Sequence, residues 1–310
     1  MVRRVLIKSQ GCFLWAQLVI QGLLEVGTTA QTEHAIDNNS SDMDALYLGI
    51  LDRMSRSMNR DSIHAILTWA TCCIRPLSIE GLQAAIKIHI KADIVDIKRF
   101  ISDFCGNLVF IDRLGRLQLI HLTARELLTR DSLDSVYRVR KGDGHRILAL
   151  VCIGYLVGKE TKTSRVAKAQ IHEDLLQAPF ADYAMDNLFH HISQCGSYDD
   201  QLILALDKFL KSSKVLSWIE HVARRAELDK IFAAGKILGH VVRQRARNTP
   251  PIGLQRERVT LDKWSSDLQR LATKFWKPLT TLQGNLQVPK LYVATQKRTR
   301  ATGHLALDNN

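Results

Sequence analysis

The sequence predicts a mainly α-helical fold in which one short β-hairpin interrupts a series of amphipathic helices. Aromatic residues make up only 6% of the 310 residues, and Leu, Ile, Val and Ala supply most of the 46% hydrophobic content, which favours helix packing over a β-sandwich. Apolar residues recur at three- and four-residue spacing along most of the chain, as in helices with one buried face. Two short β-type runs flank the turn-forming residues 112–116, which predicts the hairpin.

Residues 1–75 are predicted to form a small helical domain. Arg75-Pro76 should end its last helix, because proline lacks the backbone donor that continues a helix. Three helices are expected, over residues 11–26, over residues 43–58, and from Asp61 as the N-cap to Cys73. The buried residues of the first helix are expected to be Phe13, Leu14, Leu18, Ile20 and Leu24.

Two further helices follow Pro76. Ser78 is expected to cap a helix that ends at Ile88, and Asp93 to open a helix that ends at Cys105 with Gly106 as its C-cap. The apolar residues of the second of these helices are expected to be buried, and they are Ile94, Ile97, Phe100, Ile101 and Phe104.

A β-hairpin and a last short helix complete this region. Strands are expected over residues 108–111 and 117–122, and Thr123 is expected to cap a helix to about Thr129. Helices, a hairpin and another helix in this order are typical of a winged helix. The sequence therefore predicts a winged helix over residues 76–135.

Residues 140–249 are predicted to form a helical linker domain after a charged loop at residues 138–144. The amphipathic segments have no fixed period, so a repeat fold is not predicted. They are expected over residues 147–157, 171–176, 180–193, 199–210, 215–225 and 228–247. Pro250-Pro251 then marks a linker.

Residues 250–310 are predicted to form a linker helix at residues 260–275 and a basic tail that is disordered over residues 278–310. Residues 1–235 contain 29 basic and 27 acidic side chains, whereas residues 236–310 contain 14 and 4, so nearly all of the net charge of +12 lies in the last quarter of the chain. Such a segment can attract nucleic acid, acidic lipid or an acidic protein surface, or simply keep a polar chain end soluble.

The cysteines and the apolar runs predict a cytoplasmic protein. The six cysteines form no C-x-x-C pair and have no zinc-ligand spacing, which is typical of reduced thiols in a reducing compartment. No apolar run is long enough to span a bilayer. Arg3-Arg4 before an apolar stretch superficially resembles a signal peptide, but Gln17 and Gln21 interrupt that stretch and favour an amphipathic helix.

The sequence contains no recognisable catalytic or metal-binding motif. Gly158-Lys159-Glu160 is the string closest to a phosphate-binding loop, and it places an acid where a magnesium-binding hydroxyl is needed. His172-Glu173 has Leu176 in place of a second zinc ligand, and the adjacent His190-His191 project from different sides of a helix. We expect no enzymatic activity, no cofactor and no bound metal.

The winged helix raises a nucleic-acid hypothesis, because its third helix could enter a major groove. That helix carries more acid than base, namely Asp93, Asp96 and Asp103 against Lys98 and Arg99. Such a helix repels phosphate, and Arg113 and Arg116 in the wing offset this only slightly.

Several strings in residues 8–275 occur in an order that resembles one protein family. They are Gly11–Val19, Asp44–Tyr47, Ile50–Arg53, Trp69 with Arg75–Ser78, Tyr183-Ala184, Leu216–Glu220 and Trp264–Leu271. The set resembles fungal NACHT-type STAND NTPases of the vegetative-incompatibility kind, which usually end in WD or ankyrin repeats. The resemblance implies the helical domain, winged helix and helical linker of such a protein, without its phosphate-binding loop or repeats.

The string from Leu119 to Leu128 resembles the winged-helix motif of that family. The resemblance implies that His121 contacts the phosphate of bound ADP and that Glu126 supports the helix that follows. An imidazole at a strand end can donate to a phosphate oxygen. Without the family pattern, the residues alone favour a strand-end histidine bonded to nearby backbone.

These observations favour a non-catalytic regulatory or scaffold segment of a STAND-type signalling NTPase. Its expected partner is another protein or the remaining parts of a parent STAND protein. The alternative is a winged-helix nucleic-acid-binding protein that uses the basic C-terminal tail.

Overall fold

The computed structural model of this chain describes Ser9 and residues 12–24, 42–158, 179–248 and 254–281. These residues are mainly helical and include one two-stranded sheet, which confirms the predicted fold class. The elements are α1 (Phe13–Leu24), α2 (Met43–Ser55), α3 (Arg60–Cys72), α4 (Ile79–Ile90), α5 (Ile97–Phe104), β1 (Val109–Ile111), β2 (Leu117–Leu119), α6 (Leu122–Leu128), α7 (Lys141–Val157), α8 (Ala181–Ser193), α9 (Asp200–Lys211), α10 (Lys214–Arg224), α11 (Leu228–Asn248) and α12 (Gln255–Thr281).

The chain divides into two compact units. The first contains residues 1–151 and 177–180, and the second contains residues 152–176 and 181–310. The finer division at residues 75, 135 and 249 stays a prediction. None of the described helices is long and apolar enough to cross a membrane, and all six cysteines are free thiols.

In the first unit, helices α3, α4 and α5 precede an antiparallel hairpin. Strands β1 and β2 pair with Phe110 opposite Gln118. The residues before α4 lie beside the hairpin, because Leu117 N donates to Leu77 O at 2.9 Å and Ser78 forms a β-bridge with Arg116. This arrangement of three helices and a paired wing is a winged helix.

Helix α2 is fastened to the C-terminal part of this winged helix. The Tyr137 hydroxyl donates to Met54 O at 2.8 Å, and Arg130 Nη1 lies 2.5 Å from Asp44 Oδ2. Tyr137 is fully buried. The last residues of the winged helix therefore pack on the helix that precedes it in sequence.

Several predicted caps are confirmed and others are wrong. Ser78 caps α4 by accepting from Gly81 N. The C-cap of α5 is Cys105 instead of Gly106, which is the next residue and has a φ of 57°. Asp61 lies in the first turn of α3 instead of at the N-cap, because the helix begins one residue earlier and Asn59 precedes it. At α6 the N-cap is His121 instead of Thr123, since its ring nitrogen accepts from Thr123 N.

Three predicted helix bounds also differ from the structure. Helix α5 begins at Ile97 instead of Asp93, because Lys91 ends α4 with a φ of 55° and Asp96 is the residue that caps α5. Helix α7 begins at Lys141, so most of the predicted charged loop is helical. Helix α12 extends through Pro278 to Thr281. The predicted segment at 171–176 and the tail beyond residue 281 lie outside the described residues.

Burial differs from the prediction on two helices. In α1 the expected core residues Phe13 and Ile20 are 90% and 48% exposed, and Trp15 and Val19 are buried instead. In α5 only Ile97 and Ile101 are buried, and Phe104 is 37% exposed. Helical spacing fixes which residues share a face, but it does not fix which face meets the core.

In the second unit, small residues allow α11 and α12 to approach closely. Ser265 Oγ of α12 donates to Gly235 O of α11 at 2.8 Å in a buried contact. A Cβ at Gly239 would lie 2.8 Å from the same oxygen of Ser265. Trp218 of α10 is tied to α8, since its indole nitrogen donates to Met185 O at 2.9 Å.

Candidate functional site

His121 lies between β2 and α6 and is exposed. Its Nδ1 accepts from Thr123 N at 3.2 Å and lies 2.9 Å from Thr123 Oγ1. The Thr123 hydroxyl is in turn 2.9 Å from the hydroxyl of Tyr47 in α2. One ring nitrogen of His121 therefore holds the helix start, while Nε2 has no hydrogen bond to the described residues and is the nitrogen that could meet a phosphate oxygen.

Glu126 is exposed on α6 and lies one turn before Arg130. Arg130 has a raised pKa, caused first by its hydrogen bond and charge interaction with Asp44 and to a smaller extent by the charge of Glu126. Glu126 thus adds negative charge beside the contact that joins α6 to α2. The roles that the family resemblance implies for His121 and Glu126 both stay predictions.

The third helix of the winged helix, α5, begins after Asp93 and Asp96, so the prediction that it is net acidic is wrong. It contains Lys98, Arg99 and Asp103, and the N-cap Asp96 balances its net charge of +1. Arg99 Nε lies 3.3 Å from Asp103 Oδ2, one turn along the same helix. In the approach to α5, Lys87 pairs with Asp93 at 2.7 Å. The carboxylate of Asp96 is used for capping, since it accepts from Arg99 N at 3.0 Å. Most charged groups around this helix are therefore already partnered within the chain.

The wing is organised around Asp112. Its carboxylate accepts from the backbone nitrogens of Leu114 and Arg116 at 2.8 and 2.9 Å, and from Arg116 Nε and Gln118 Nε2 at 3.1 and 2.6 Å. Burial acts to raise its pKa, but these hydrogen bonds outweigh burial and lower it. Arg116 is therefore held within the wing by Asp112. Arg113 is the exposed cation of the turn.

Large apolar side chains are exposed on the segments that flank α5. Val95 is 97% exposed before the helix, Leu114 is 73% exposed in the wing, and Phe110 is 40% exposed in β1. At the end of α5 the rings of Phe100 and Phe104 lie 5.0 Å apart. The sequence analysis missed this exposed apolar character because it assigned Phe104 to the core.

A cavity of about 180 Å³ lies beside the end of α5. Its apolar lining comes from α1 and α2 and includes Leu18, Ile50 and Met54. Its polar lining includes Arg53, Asp103 and Asn107. These residues are far apart in sequence, so no motif could have indicated the cavity.

The second unit contains a buried charge cluster that the sequence analysis also missed. Asp186 Oδ1 of α8 lies 2.9 Å from His221 Nε2 of α10. The same carboxylate accepts from Arg225 Nη1 at 3.2 and 3.1 Å. The cluster therefore joins α8 to α10 and to Arg225, the exposed C-cap residue of α10.

One protein-family model matches residues 51–140 of the chain. These residues match the model of the family described as "GPI inositol-deacylase, winged helix domain". Comparison with curated proteins found no match, and comparison with solved structures found none either. The match covers less than a third of the chain and agrees with the order of α3 to β2. Residues 51–140 therefore form a winged helix domain.

Proposed function

We propose that this chain is a non-catalytic regulatory or scaffold segment whose winged helix docks on another protein. The observation that carries this proposal is the charge of the third helix. Helix α5 contains two basic side chains and one acidic side chain, its N-cap Asp96 adds a second acid, and Arg99 is paired with Asp103. A helix that enters a DNA groove gains most of its affinity from cations that neutralise phosphates. Helix α5 carries little positive charge that could neutralise phosphates.

The exposed side chains around α5 suit a protein surface better than a nucleic acid. Protein interfaces bury apolar and aromatic groups at their centre and place charged groups at the rim. Val95, Phe104 and Leu114 are exposed near cations that already have acidic partners. Docking of these three side chains would remove apolar surface from water without separating an ion pair.

The resemblance to STAND-type NTPases supports a specific partner, the nucleotide-binding domain of such a protein. In this proposal the winged helix contacts that domain, and His121 Nε2 reaches the phosphate of bound ADP. The chain supplies no phosphate-binding loop, so we propose that hydrolysis, where it occurs, is performed by the partner. The free thiols of all six cysteines are compatible with a reducing compartment.

The test is a binding measurement between the full chain and a purified NACHT-type nucleotide-binding domain. We expect a complex on size-exclusion chromatography and calorimetry, and loss of that complex in the double variant V95D/L114D. The matched control is M58D, since Met58 is also fully exposed but lies outside the winged-helix face. Unchanged binding by V95D/L114D would contradict the proposed docking face, and sequence-selective DNA binding that V95D/L114D abolishes would contradict the proposed function.

A second candidate function, nucleic-acid binding, is favoured by one observation. Residues 236–310 contain 14 basic and 4 acidic side chains. In the alternative predicted from the sequence, this charge acts through the C-terminal tail and assists a winged helix that reads DNA. The charge of helix α5 does not support a winged helix that reads DNA. Any nucleic-acid binding would therefore depend on the basic residues of this C-terminal quarter themselves.

A further inference from the structure

The positive charge of the C-terminal quarter is concentrated on the described helices α11 and α12. Residues 236–274 contain nine of its 14 basic side chains and three of its four acidic ones. These residues belong to the folded part of the second unit instead of the tail. The helices therefore present the charge in a fixed arrangement.

On α12, three basic residues share one face, which also carries Asp267 between the second and the third of them. Arg256, Lys263 and Arg270 are seven residues apart and all are exposed. Seven residues are almost two helical turns, so neighbouring cations are about 10 Å apart along one face. The opposite face is packed inside the unit, and its members are Leu261, Ser265, Leu268 and Ala272.

The three cations in this row have no ion pair or hydrogen bond to the described residues. Other arginines nearby are used inside the unit. Arg245 pairs with Asp200 and donates to Tyr198 O, and the Nε of Arg258 is buried. The α12 row is therefore distinguished from its basic neighbours by being exposed and available.

Helix α11 also carries exposed cations. Arg243 and Arg247 are exposed and lie one turn apart. The guanidinium of Arg243 lies against Gly239, where an added Cβ would be 3.2 Å from Nη1 and 2.8 Å from Ser265 Oγ of α12. Arg243 thus lies at the crossing of the two helices, beside the packed face of α12 that is opposite the row.

We propose that this basic row on α12, the basic surface, binds the sugar–phosphate backbone of nucleic acid without reading its sequence. A row of flexible cations at intervals of about 10 Å can follow a chain of phosphates, and such contacts carry no base information. The surface is formed by Arg256, Lys263 and Arg270 of the second unit, and the proposal does not depend on docking of the winged helix.

Two other partners fit the surface less well. A protein interface needs an apolar centre, but the exposed face of α12 is polar apart from Val259, which is 45% exposed. A helix that lies in a membrane must insert its apolar face, and in α12 that face is already buried, with Leu261 and Leu268 at 0% and 1% exposure. A linear polyanion requires neither feature.

The test is fluorescence anisotropy of the full chain with a labelled random-sequence DNA duplex at several NaCl concentrations. We compare three triple variants that each remove three basic charges in the full chain. They are R256Q/K263Q/R270Q in the proposed surface, K91Q/K98Q/R113Q in the winged helix, and K297Q/R298Q/R300Q in the C-terminal tail. The first two sets are exposed, so the substitutions should leave the fold intact, which circular dichroism checks.

We expect the wild type to bind random duplex with an affinity that falls steeply with salt. The α12 variant should lose at least tenfold in affinity at low salt, and its log–log salt slope should decrease by about 2 to 3, since each lost phosphate contact removes about 0.9. Both other variants should bind nearly as the wild type does. Absence of wild-type binding, an equal loss in the winged-helix or tail variant, or tighter binding to vesicles of 30% phosphatidylserine would each overturn the proposal.

Discussion

The ring of Phe180 meets the ring of Trp69 edge to face, with their centroids 5.5 Å apart, and both side chains are fully buried. The neighbouring Pro179 lies against α4, since a Cβ at Gly81 would be 3.0 Å from Pro179 O. Pro179 and Phe180 belong to the first compact unit, although they follow the end of the family match by about 40 residues. A segment outside residues 51–140 thus completes the core of the winged helix.

Replacing Phe180 by Ala should destabilise the first unit by about 3–5 kcal/mol, because a buried ring is lost and a cavity remains beside Trp69. Urea unfolding followed by tryptophan fluorescence measures the effect. The control is F13A, since Phe13 is 90% exposed and its loss should change stability by less than about 0.5 kcal/mol. Equal midpoints for F180A and F13A would show that Phe180 does not support this core.

The helices were largely predictable from the sequence because many of them, such as α9 and α10, bury one stripe of regularly spaced apolar residues, although α3 is buried at every position from Ala65 to Cys72. The contact between Trp69 and Phe180 was not predictable, since it joins residues that share no local pattern. The prediction for Phe104 was wrong for a related reason: it shares the helical spacing of Ile97 and Ile101 but lies in the last turn of α5, where the core ends. Local spacing is a property of the chain, whereas burial depends on what packs against it.

Replacing Gly235 by Ala should destabilise the second unit. A Cβ at this position would lie 2.8 Å from the backbone oxygen of Ser265, so α11 and α12 would have to separate. The cost of such overpacking, about 1–3 kcal/mol, should exceed the gain of up to about 1 kcal/mol from better helix propensity. Thermal unfolding measured by circular dichroism checks this.

The matched control for this substitution is G49A. Gly49 lies within α2, and a Cβ there would have no atom within 4 Å. Because the new methyl group meets no other atom, the substitution changes only the helix propensity of this position. G49A should therefore stabilise the protein by up to about 1 kcal/mol. Two glycine-to-alanine changes in helices should therefore shift the melting temperature in opposite directions, and a gain in both would contradict the close crossing of α11 and α12.

The cluster around Asp186 should make the second unit sensitive to acid. Burial acts to raise the pKa of Asp186, but its hydrogen bond with His221 and the charges of Arg225, His221 and Lys230 outweigh burial and lower it. A carboxylate with a lowered pKa in the folded state stabilises the fold above its unfolded pKa of about 3.9. This stability is lost as the pH falls through the folded pKa.

We expect D186N to lower the free energy of unfolding by about 1.5–3 kcal/mol at pH 7, the usual range for hydrogen bonds to a charged group. The difference from the wild type should stay constant down to about pH 4 and shrink below it. The control is D52N, because Asp52 pairs with Arg56 in an exposed contact that should contribute little. A difference that grows below pH 4 would contradict the lowered pKa.

The candidate site was only partly predictable from the sequence. The string from Leu119 to Leu128 identified His121 as a candidate residue. Its role as the N-cap of α6 depends on where β2 ends, so residue spacing could not predict it. The acidic residues Asp93 and Asp103 were visible in the sequence, whereas their pairing with Lys87 and Arg99 needed the fold, and so did the finding that Asp93 lies before the third helix. The basic row on α12 could have been found from its seven-residue spacing, but its exposure depends on the packing of Leu261 and Leu268.

His121 has two roles that substitution can separate, because one ring nitrogen caps α6 and the other is proposed to meet a phosphate. Alanine removes both nitrogens, so H121A should lose about 0.5–2 kcal/mol of stability through the missing N-cap. Asparagine is a good N-cap residue, and its shorter side chain cannot reach as far as Nε2. H121N should therefore keep the stability of the wild type and lose only the contact with the phosphate.

The measurement that distinguishes these roles is the affinity of the chain for an ADP-loaded and a nucleotide-free NACHT-type domain. The wild type should prefer the ADP-loaded domain by up to about 150-fold, because one hydrogen bond to a charged group contributes about 1.5–3 kcal/mol, and H121N should show no preference. ADP alone should not raise the melting temperature of the isolated chain, since a single contact of this size falls well short of the 8 kcal/mol or so that micromolar affinity requires. If H121N keeps the preference for ADP, then His121 serves only as the cap of α6, and the phosphate contact is wrong.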